Sequence, residues 1–416
     1  MDAETSRRDV GATYAPLDPA HAADPYAYYA RARREAPVFY SPAIDAWVVS
    51  SYAAAAAVLK DHRRFATAIV QARSRQYTPE VREILASTPI IEATMLNVDP
   101  PEHTRLRGSV NKALSARRVA ALEPRIRGLC DGLIDRFEPQ GRTDFMSQFA
   151  HPFPVMVIGS LLDLPEADFA SLGRWADDLV ALFSGDLPAE AQVPCARSIL
   201  ALHRYVFDLA ERRHREPGSD LASDLVRAVE AGEAPLSAVE VAAMLQILIV
   251  AGFETTIRLL GNCLHSLLAE RRHWRTIVDD PARIPAVVEE ALRFDGPLLG
   301  TMRRAREDVE LFGCSIPSGA LVQVLMSSAD HDEAVFPNAD AFDPDRTAPA
   351  GHLAFGLGVH FCIGAPLARL ETRVALEQLS RRLPSLRLAP GRRVSYRPNL
   401  LVRGLEELRV EWDDRL

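Results

Sequence analysis

Cys362 stands in the string Phe355-Gly356-Leu357-Gly358-Val359-His360-Phe361-Cys362-Ile363-Gly364, just ahead of a helix-like stretch from Pro366 to Leu383. A sulfur placed before a helix N-terminus meets unpaired backbone N–H groups and the positive end of the helix dipole. Both favour a thiolate. The glycines let the backbone come close to something flat and bulky. A thiolate held this way is a good axial ligand for haem iron, to which it donates electron density that favours O–O cleavage. A buried cysteine in a glycine-rich turn is the plainer reading of the same residues.

Three further strings carry groups that could do chemistry. Ser237-Ala238-Val239-Glu240 is a capping-box pattern that opens a long apolar helix, predicted to run to about Glu270, roughly 50 Å at about 1.5 Å per residue. In its middle sits Ala251-Gly252-Phe253-Glu254-Thr255-Thr256. A glycine, a carboxylate and two hydroxyls are locally unfavourable in an apolar helix, and such violations tend to mark function. A kinked helix, with a threonine bonding back to the previous turn, is the structural alternative. Glu290 and Arg293 lie three apart on a helix predicted to start near Pro285, so they share a face and can pair. His103 and Arg107 lie four apart at the start of another helix, after Asp99-Pro100-Pro101. A ligand with half-buried carboxylates would need such cations.

The cysteine string resembles the cysteine loop of the cytochrome P-450 family, F-G-x-G-x-H-x-C-x-G, at every fixed position, including Phe355, His360 and Gly364. The resemblance extends to the family's A-G-x-D/E-T-T, E-x-x-R and H-x-x-x-R motifs and to most of the chain, from about Asp24 to Trp412, in the soluble bacterial form. It implies a triangular, mainly helical prism with small sheets and a buried haem b. It implies that Cys362 ligates the iron and that His103, Arg107, Arg303 and His360 hold the propionates. Gly252 would leave room where the helix passes the haem, Thr255 would hydrogen-bond dioxygen or a water beside it, and Glu254 would relay protons. Glu290 and Arg293 would form a buried pair. Many relatives carry an arginine where this chain has Ala341, and Arg346 is the candidate replacement. Substrate contacts would come from about Thr67 to Leu96, Leu179 to Leu187 and Pro297 to Thr301. Ile91, Phe183, Leu298, Leu299 and also Phe253 are the candidates.

The remaining composition agrees with such a molecule. The chain has 416 residues, 48% hydrophobic and 25% charged, as expected of a soluble globular protein. A formal charge of −8 argues against nucleic acid as the main partner. No secretory leader pattern follows Met1, and no apolar run reaches the ~18 residues of a membrane span. Five dispersed cysteines without a C-x-x-C pair suit a reducing cytoplasm. The pattern reads as mainly α with minor β, one domain over 1–416 with residues 1–23 as an extension. A helix from Tyr26 leads to a hairpin at Ala36–Tyr40 and Ala46–Ser50. Nearly continuous helix runs from Glu102 to Glu270, broken at Pro152-Phe153-Pro154 and again at Pro188 and Pro217. Strands follow around Leu311–Met326 and after Arg393.

The expected activity is a haem-thiolate monooxygenase that inserts one oxygen atom of O2 into a small, mostly apolar organic molecule. Oxidative coupling, desaturation or peroxide-driven oxidation on the same fold is the alternative, and a non-catalytic haem sensor the third reading. No flavin or nicotinamide fingerprint is present, so electrons are expected from a ferredoxin and its reductase. Lys112, Arg117, Arg118, Arg369 and Arg373 are the basic residues expected to face that donor.

Overall fold

The computed structural model describes residues 3–68, 77–87, 94–184, 187–230, 236–348, 350–391 and 394–413. At its centre lies the helix Ala238–Ala269. The capping box forms as the sequence predicts: the Ser237 N–H donates to Glu240 Oε2 at 2.7 Å, and the Glu240 N–H donates to Ser237 Oγ at 3.3 Å. Leu, Ile, Val and Ala fill most of the helix, so it is buried nearly all round. Helices Pro152–Leu161, Phe169–Ser184, Ala189–Arg215, Ile284–Phe294 and Ala365–Arg382 pack around it. By length and apolarity this helix could cross a membrane, but its burial among these neighbours is that of a core helix.

Among the described residues ten short strands flank the helices: β1 (Val38–Ser41), β2 (Ala46–Val49), β3 (Phe65–Thr67), β4 (Arg142–Asp144), β5 (Thr301–Ala305), β6 (Val309–Leu311), β7 (Cys314–Ile316), β8 (Leu321–Val324), β9 (Arg387–Leu388) and β10 (Arg409–Glu411). The main sheet has the order β1-β2-β8-β5-β3, with β2 parallel to β8 and the other pairs antiparallel. β1 and β2 are the predicted hairpin, in the register Val38 opposite Val49. A second sheet has the order β4-β10-β9, and β6 pairs with β7.

Three expectations are corrected. β4 interrupts the segment expected to be wholly helical, because β10 from the far end of the chain pairs with it. Long-range pairing of this kind overrides local propensity. Pro152 does not break a helix but starts one, at the first turn, where a missing N–H costs nothing. The irregularity lies just before it, in the π-helical turn Met146–Ala150. Residues 3–23 are not a loose extension. Helices Ala3–Thr13 and Pro19–Ala23 fold there. Val10 and Tyr14 are buried with Tyr29, Phe39 and Leu325, and the Tyr14 hydroxyl donates to Gln323 Oε1 at 3.0 Å.

One buried acid stands out on the helix Ala365–Arg382. Glu371 is fully buried, and neither carboxyl oxygen has a hydrogen-bond partner among the described residues. Burial pushes its carboxyl well above the usual range, so the folded chain holds it protonated at neutral pH. The folded state therefore binds this proton more tightly than the unfolded state. Stability is lost as pH rises above the ordinary carboxylate range. Glu371→Gln keeps the shape and removes that loss. Thermal melts should show a gain over wild type that widens from about pH 5 to about pH 8. A pH-independent difference would mean that Glu371 is ionised and paired.

Candidate active site

Gly356 and Gly358 adopt φ of 71° and 76°, the left-handed region that glycine enters freely. At Gly358 a Cβ would also lie 2.7 Å from the Leu59 carbonyl oxygen. These two turns bring the chain back so that the Cys362 N–H donates to the Phe355 carbonyl at 2.9 Å. The Arg369 guanidinium caps the Phe355 ring at 4.5 Å, and Phe361 meets the same ring edge-on at 6.2 Å. Cys362 is accessible and yet closely ringed by protein, as a group facing an internal cavity is. Burial pushes its thiol up. The N–H groups of Gly364 and Ala365, at the start of the helix Ala365–Arg382, act the other way, as do Arg107 and Arg369. The net shift is upward, so the helix terminus alone does not hold a thiolate here. A bound metal cation would supply the remaining charge.

Next to this loop four basic side chains converge. His103 and Arg107 come from the helix Glu102–Ala113, Arg303 from β5 and His360 from the loop. The rings of His103 and His360 lie 4.3 Å apart. Arg107 Nη1 donates to the Val359 carbonyl at 3.3 Å. Arg303 is buried and donates to the Met302 carbonyl at 2.9 Å and to Thr301 Oγ1 at 3.2 Å. Burial lowers the pKa of His103 to about 4, with His360 and Arg107 adding repulsion. Burial likewise lowers Arg303 to about 10, against the attraction of Asp99. Among the described residues no carboxylate lies within ion-pair distance of Arg107 or Arg303. Asp99, which the sequence reading passed over, takes His360 Nε2 at 3.1 Å, Arg306 Nη2 at 2.9 Å and the Thr67 N–H at 3.1 Å. Buried guanidiniums without a carboxylate are costly unless an anion joins them. The site is thus built for a carboxylate-bearing ligand beside a sulfur.

The central helix presents a second wall. Ile247, Ala251 and Thr255, at i, i+4 and i+8, carry accessible surface in the middle of an otherwise buried helix. Thr255 Oγ1 donates to the Ala251 carbonyl at 3.1 Å, and Thr256 Oγ1 to the Gly252 carbonyl at 3.3 Å. Both threonines therefore bond back to the previous turn. With its hydrogen so used, the Thr255 oxygen keeps lone pairs free as acceptors. Glu254 is only 2% exposed and lies off this stripe, ion-paired to Arg258 one turn along.

The sequence profile described as Cytochrome P-450 matches residues 283–394. Across nearly the whole chain, the cytochrome P-450 monooxygenase PikC of Streptomyces venezuelae is 39% identical over 399 residues, 94% of this chain and 92% of that protein. This chain belongs to the cytochrome P-450 family. The 6-deoxyerythronolide B hydroxylase of Saccharopolyspora erythraea is 36% identical over 401 residues, 94% of this chain and 96% of that protein. The solved structure of cytochrome P-450 CREJ in complex with (4-ethylphenyl) dihydrogen phosphate superposes with a TM-score of 0.92 at 33% identity, over 96% of this chain and 99% of that one. The fold is the P-450 fold, the activity that of a P-450 monooxygenase, and the cofactor haem b. The residues fit that group: an accessible sulfur at a helix start, and beside it a buried Arg303 and a half-buried Arg107 without carboxylates among the described residues.

The P-450's E-x-x-R residues are buried, at 5% exposure for Glu290 and 3% for Arg293. Arg293 donates to Glu290 through Nε at 2.9 Å and Nη2 at 2.7 Å. It also donates to the carbonyls of Asp330, Ala339 and Ala341. Arg346 reaches the same carboxylate at 3.3 Å and the Ala341 carbonyl at 2.7 Å. An arginine five residues later thus occupies the place of the one missing at Ala341. Together these bonds tie the helix Ile284–Phe294 to the coil that leads into the cysteine loop.

Other expected roles are corrected. Gly252 is half-buried, and a Cβ there would lie 2.5 Å from Ile158 Cδ1, so its bareness also serves packing against the helix Pro152–Leu161. Phe253, on the opposite side from Ala251, is 1% exposed in the main core. Phe183 packs with Tyr77, Val81 and Ile199. Leu299 packs among the N-terminal aromatics. Apolar side chains of this kind are read equally well as pocket or as core. Leu298 is half-buried, and Ile91 lies outside the described residues. The basic residues expected on the cysteine side are mostly neutralised. Arg369 pairs with Glu289 at 2.6 Å, Arg373 with Glu123 at 2.6 Å and Glu377 at 2.8 Å, and Arg118 with Asp224. Arg117 is exposed, and the Lys112 side chain lies outside the described residues.

Proposed function

We propose that Cys362 is the axial ligand of the haem and that His103, Arg107, Arg303 and His360 receive its propionates. The observation that carries this reading is the pairing of an accessible Cys362 with a buried Arg303 and a half-buried Arg107, neither with a carboxylate among the described residues. Haem, when bound, supplies activation of dioxygen by two electrons and two protons, with transfer of one oxygen atom to a C–H or C=C bond. The chain's own part is to hold the site dry, place the substrate and deliver protons. The Thr255 oxygen, accepting on the accessible face, would hold a water in place beside the bound cofactor. Glu254, one residue away and buried, provides the proton.

The substrate class is a mostly apolar organic molecule of secondary metabolism, and among such molecules a macrolactone-type polyketide. The similarity to a 6-deoxyerythronolide B hydroxylase supports this. The stripe Ile247-Ala251-Thr255 offers apolar surface with a single hydroxyl, which suits such a body. Electrons come from a ferredoxin and its reductase, in the cytoplasm. The paired arginines leave the docking face less basic than its composition suggests, and Arg117 is its exposed cation. A macrolactone panel, 6-deoxyerythronolide B included, should shift the Soret band of the loaded protein and give a hydroxylated or epoxidised product with ferredoxin, reductase, NADH and O2. Shifts from small aromatic compounds alone would overturn the macrolactone assignment.

A further inference from the structure

The helix Ile284–Phe294 carries a second acid beside Glu290. Glu289 meets the other end of the same coil, where that coil becomes the cysteine loop. Arg369, from the helix after Cys362, donates to it as a fork, through Nε to Oε1 at 2.6 Å and through Nη2 to Oε2 at 2.9 Å. His352 adds a third bond. The Ala354 N–H donates to its Nδ1 at 3.2 Å, so the ring hydrogen lies on Nε2, 3.3 Å from Glu289 Oε2. Held in this way, the Arg369 guanidinium covers the Phe355 ring, and the Phe355 carbonyl accepts the Cys362 N–H. We propose that Glu289 is a positioning residue for the cysteine loop: it fixes Arg369 on Phe355 and, through Phe355, the place of the Cys362 sulfur. This rests on the reading of Cys362 as the axial ligand.

The geometry differs from that of an ordinary surface ion pair, in which the guanidinium keeps much of its freedom. Here both carboxylate oxygens are engaged and one face of the guanidinium lies on an aromatic ring, so its plane is fixed. The His352 ring also meets the Phe355 ring, at 5.8 Å, and the Leu353 N–H donates to the buried Asp330 carboxyl at 2.6 Å. One helix thereby braces both ends of the coil. Glu290 does so through Arg293 and Arg346 near Ala341, and Glu289 through Arg369 and His352 at His352–Phe355. Burial acts to raise the Glu289 carboxyl, yet the bonds from Arg369 and His352 outweigh it and hold the group down at about 2. A depressed carboxylate loses its contribution only as pH falls through that range, so the clamp is intact from about pH 4 upward. Glu289 and Arg369 are both half-buried, so their pairing adds little to overall stability. Its effect is on where the loop lies.

The red-shifted Soret band of the reduced, haem-loaded protein under carbon monoxide reports the sulfur ligand, and its decay in mild urea reports how firmly the loop holds that sulfur. Glu289→Gln and Arg369→Gln should each decay about 3- to 10-fold faster than wild type, while melting temperatures stay within about 3 °C. The double variant should decay no faster than the worse single one. Arg369→Lys keeps the charge but not the planar fork and should behave as Arg369→Gln does. In a Phe355→Leu background, Glu289→Gln should add nothing further. Wild-type decay in Glu289→Gln, full rescue by Arg369→Lys, additive single variants, or decay that merely follows a lowered melting temperature would each overturn the clamp. None of these outcomes touches the identity of the ligand, which fails only if the band survives in Cys362→Ala.

Discussion

Arg293→Ala is expected to yield protein that folds poorly and does not retain haem. The guanidinium is 3% exposed, and its removal leaves the Glu290 carboxylate buried with only Arg346 and the Asp343 N–H beside it. The carbonyls of Asp330 and Ala339 lose this donor at the same time, and that of Ala341 is left with Arg346 alone. Breaking a buried pair costs roughly 3–5 kcal/mol, against a total stability of about 5–15 kcal/mol for a typical chain. The loss is local to the coil before the cysteine loop, so haem retention should fall before overall helicity does. Haem-to-protein absorbance and thermal melting measure the two separately. A stable, fully loaded Arg293→Ala would show that the pair contributes little, and Arg346→Ala should then be silent as well.

Thr255→Ala is expected to keep haem and substrate binding and to separate electron use from product. The substitution removes a hydroxyl from the one polar position on the accessible stripe of the central helix and leaves the helix hydrogen bonds intact. Without that acceptor the proton from Glu254 is no longer directed to the oxygen that must leave as water. NADH consumption should continue while peroxide rises and oxidised product falls, by an amount in the range of a lost general-acid contribution, about 10²–10⁴ in product formation. The ratio of product to NADH, with peroxide assayed in parallel, is the measurement. An unchanged ratio would mean that substrate hydroxyls or water carry the protons.

What could be read from the chain was whatever depends on local pattern. The capping box at Ser237, the β1–β2 hairpin and the helix after Cys362 follow from residues adjacent in sequence. The cysteine string, and the basic residues His103, Arg107, Arg303 and His360 that it drew attention to, come together in space. What escaped depends on pairing across the chain. β4 is a strand only because β10 reaches it. Asp99 gave no sign of its role, since an isolated aspartate near a helix start has an ordinary solvated reading. Only the folded chain sets it against His360. Phe253 and Leu299 failed for the complementary reason: apolarity does not say which cavity, if any, a side chain faces. The charge on Cys362 was half readable. The helix start was visible, and the burial that outweighs it was not.

The central claim is that Cys362 is the haem thiolate. The direct measurement is the absorption spectrum of the reduced protein under carbon monoxide, for wild type and Cys362→Ala, with Cys130→Ala and Cys263→Ala as controls. Wild type and both controls should show the red-shifted Soret band from which the family takes its name. Cys362→Ala should lack it even where haem is retained by His103, Arg107 and Arg303. Persistence of that band in Cys362→Ala would contradict the account.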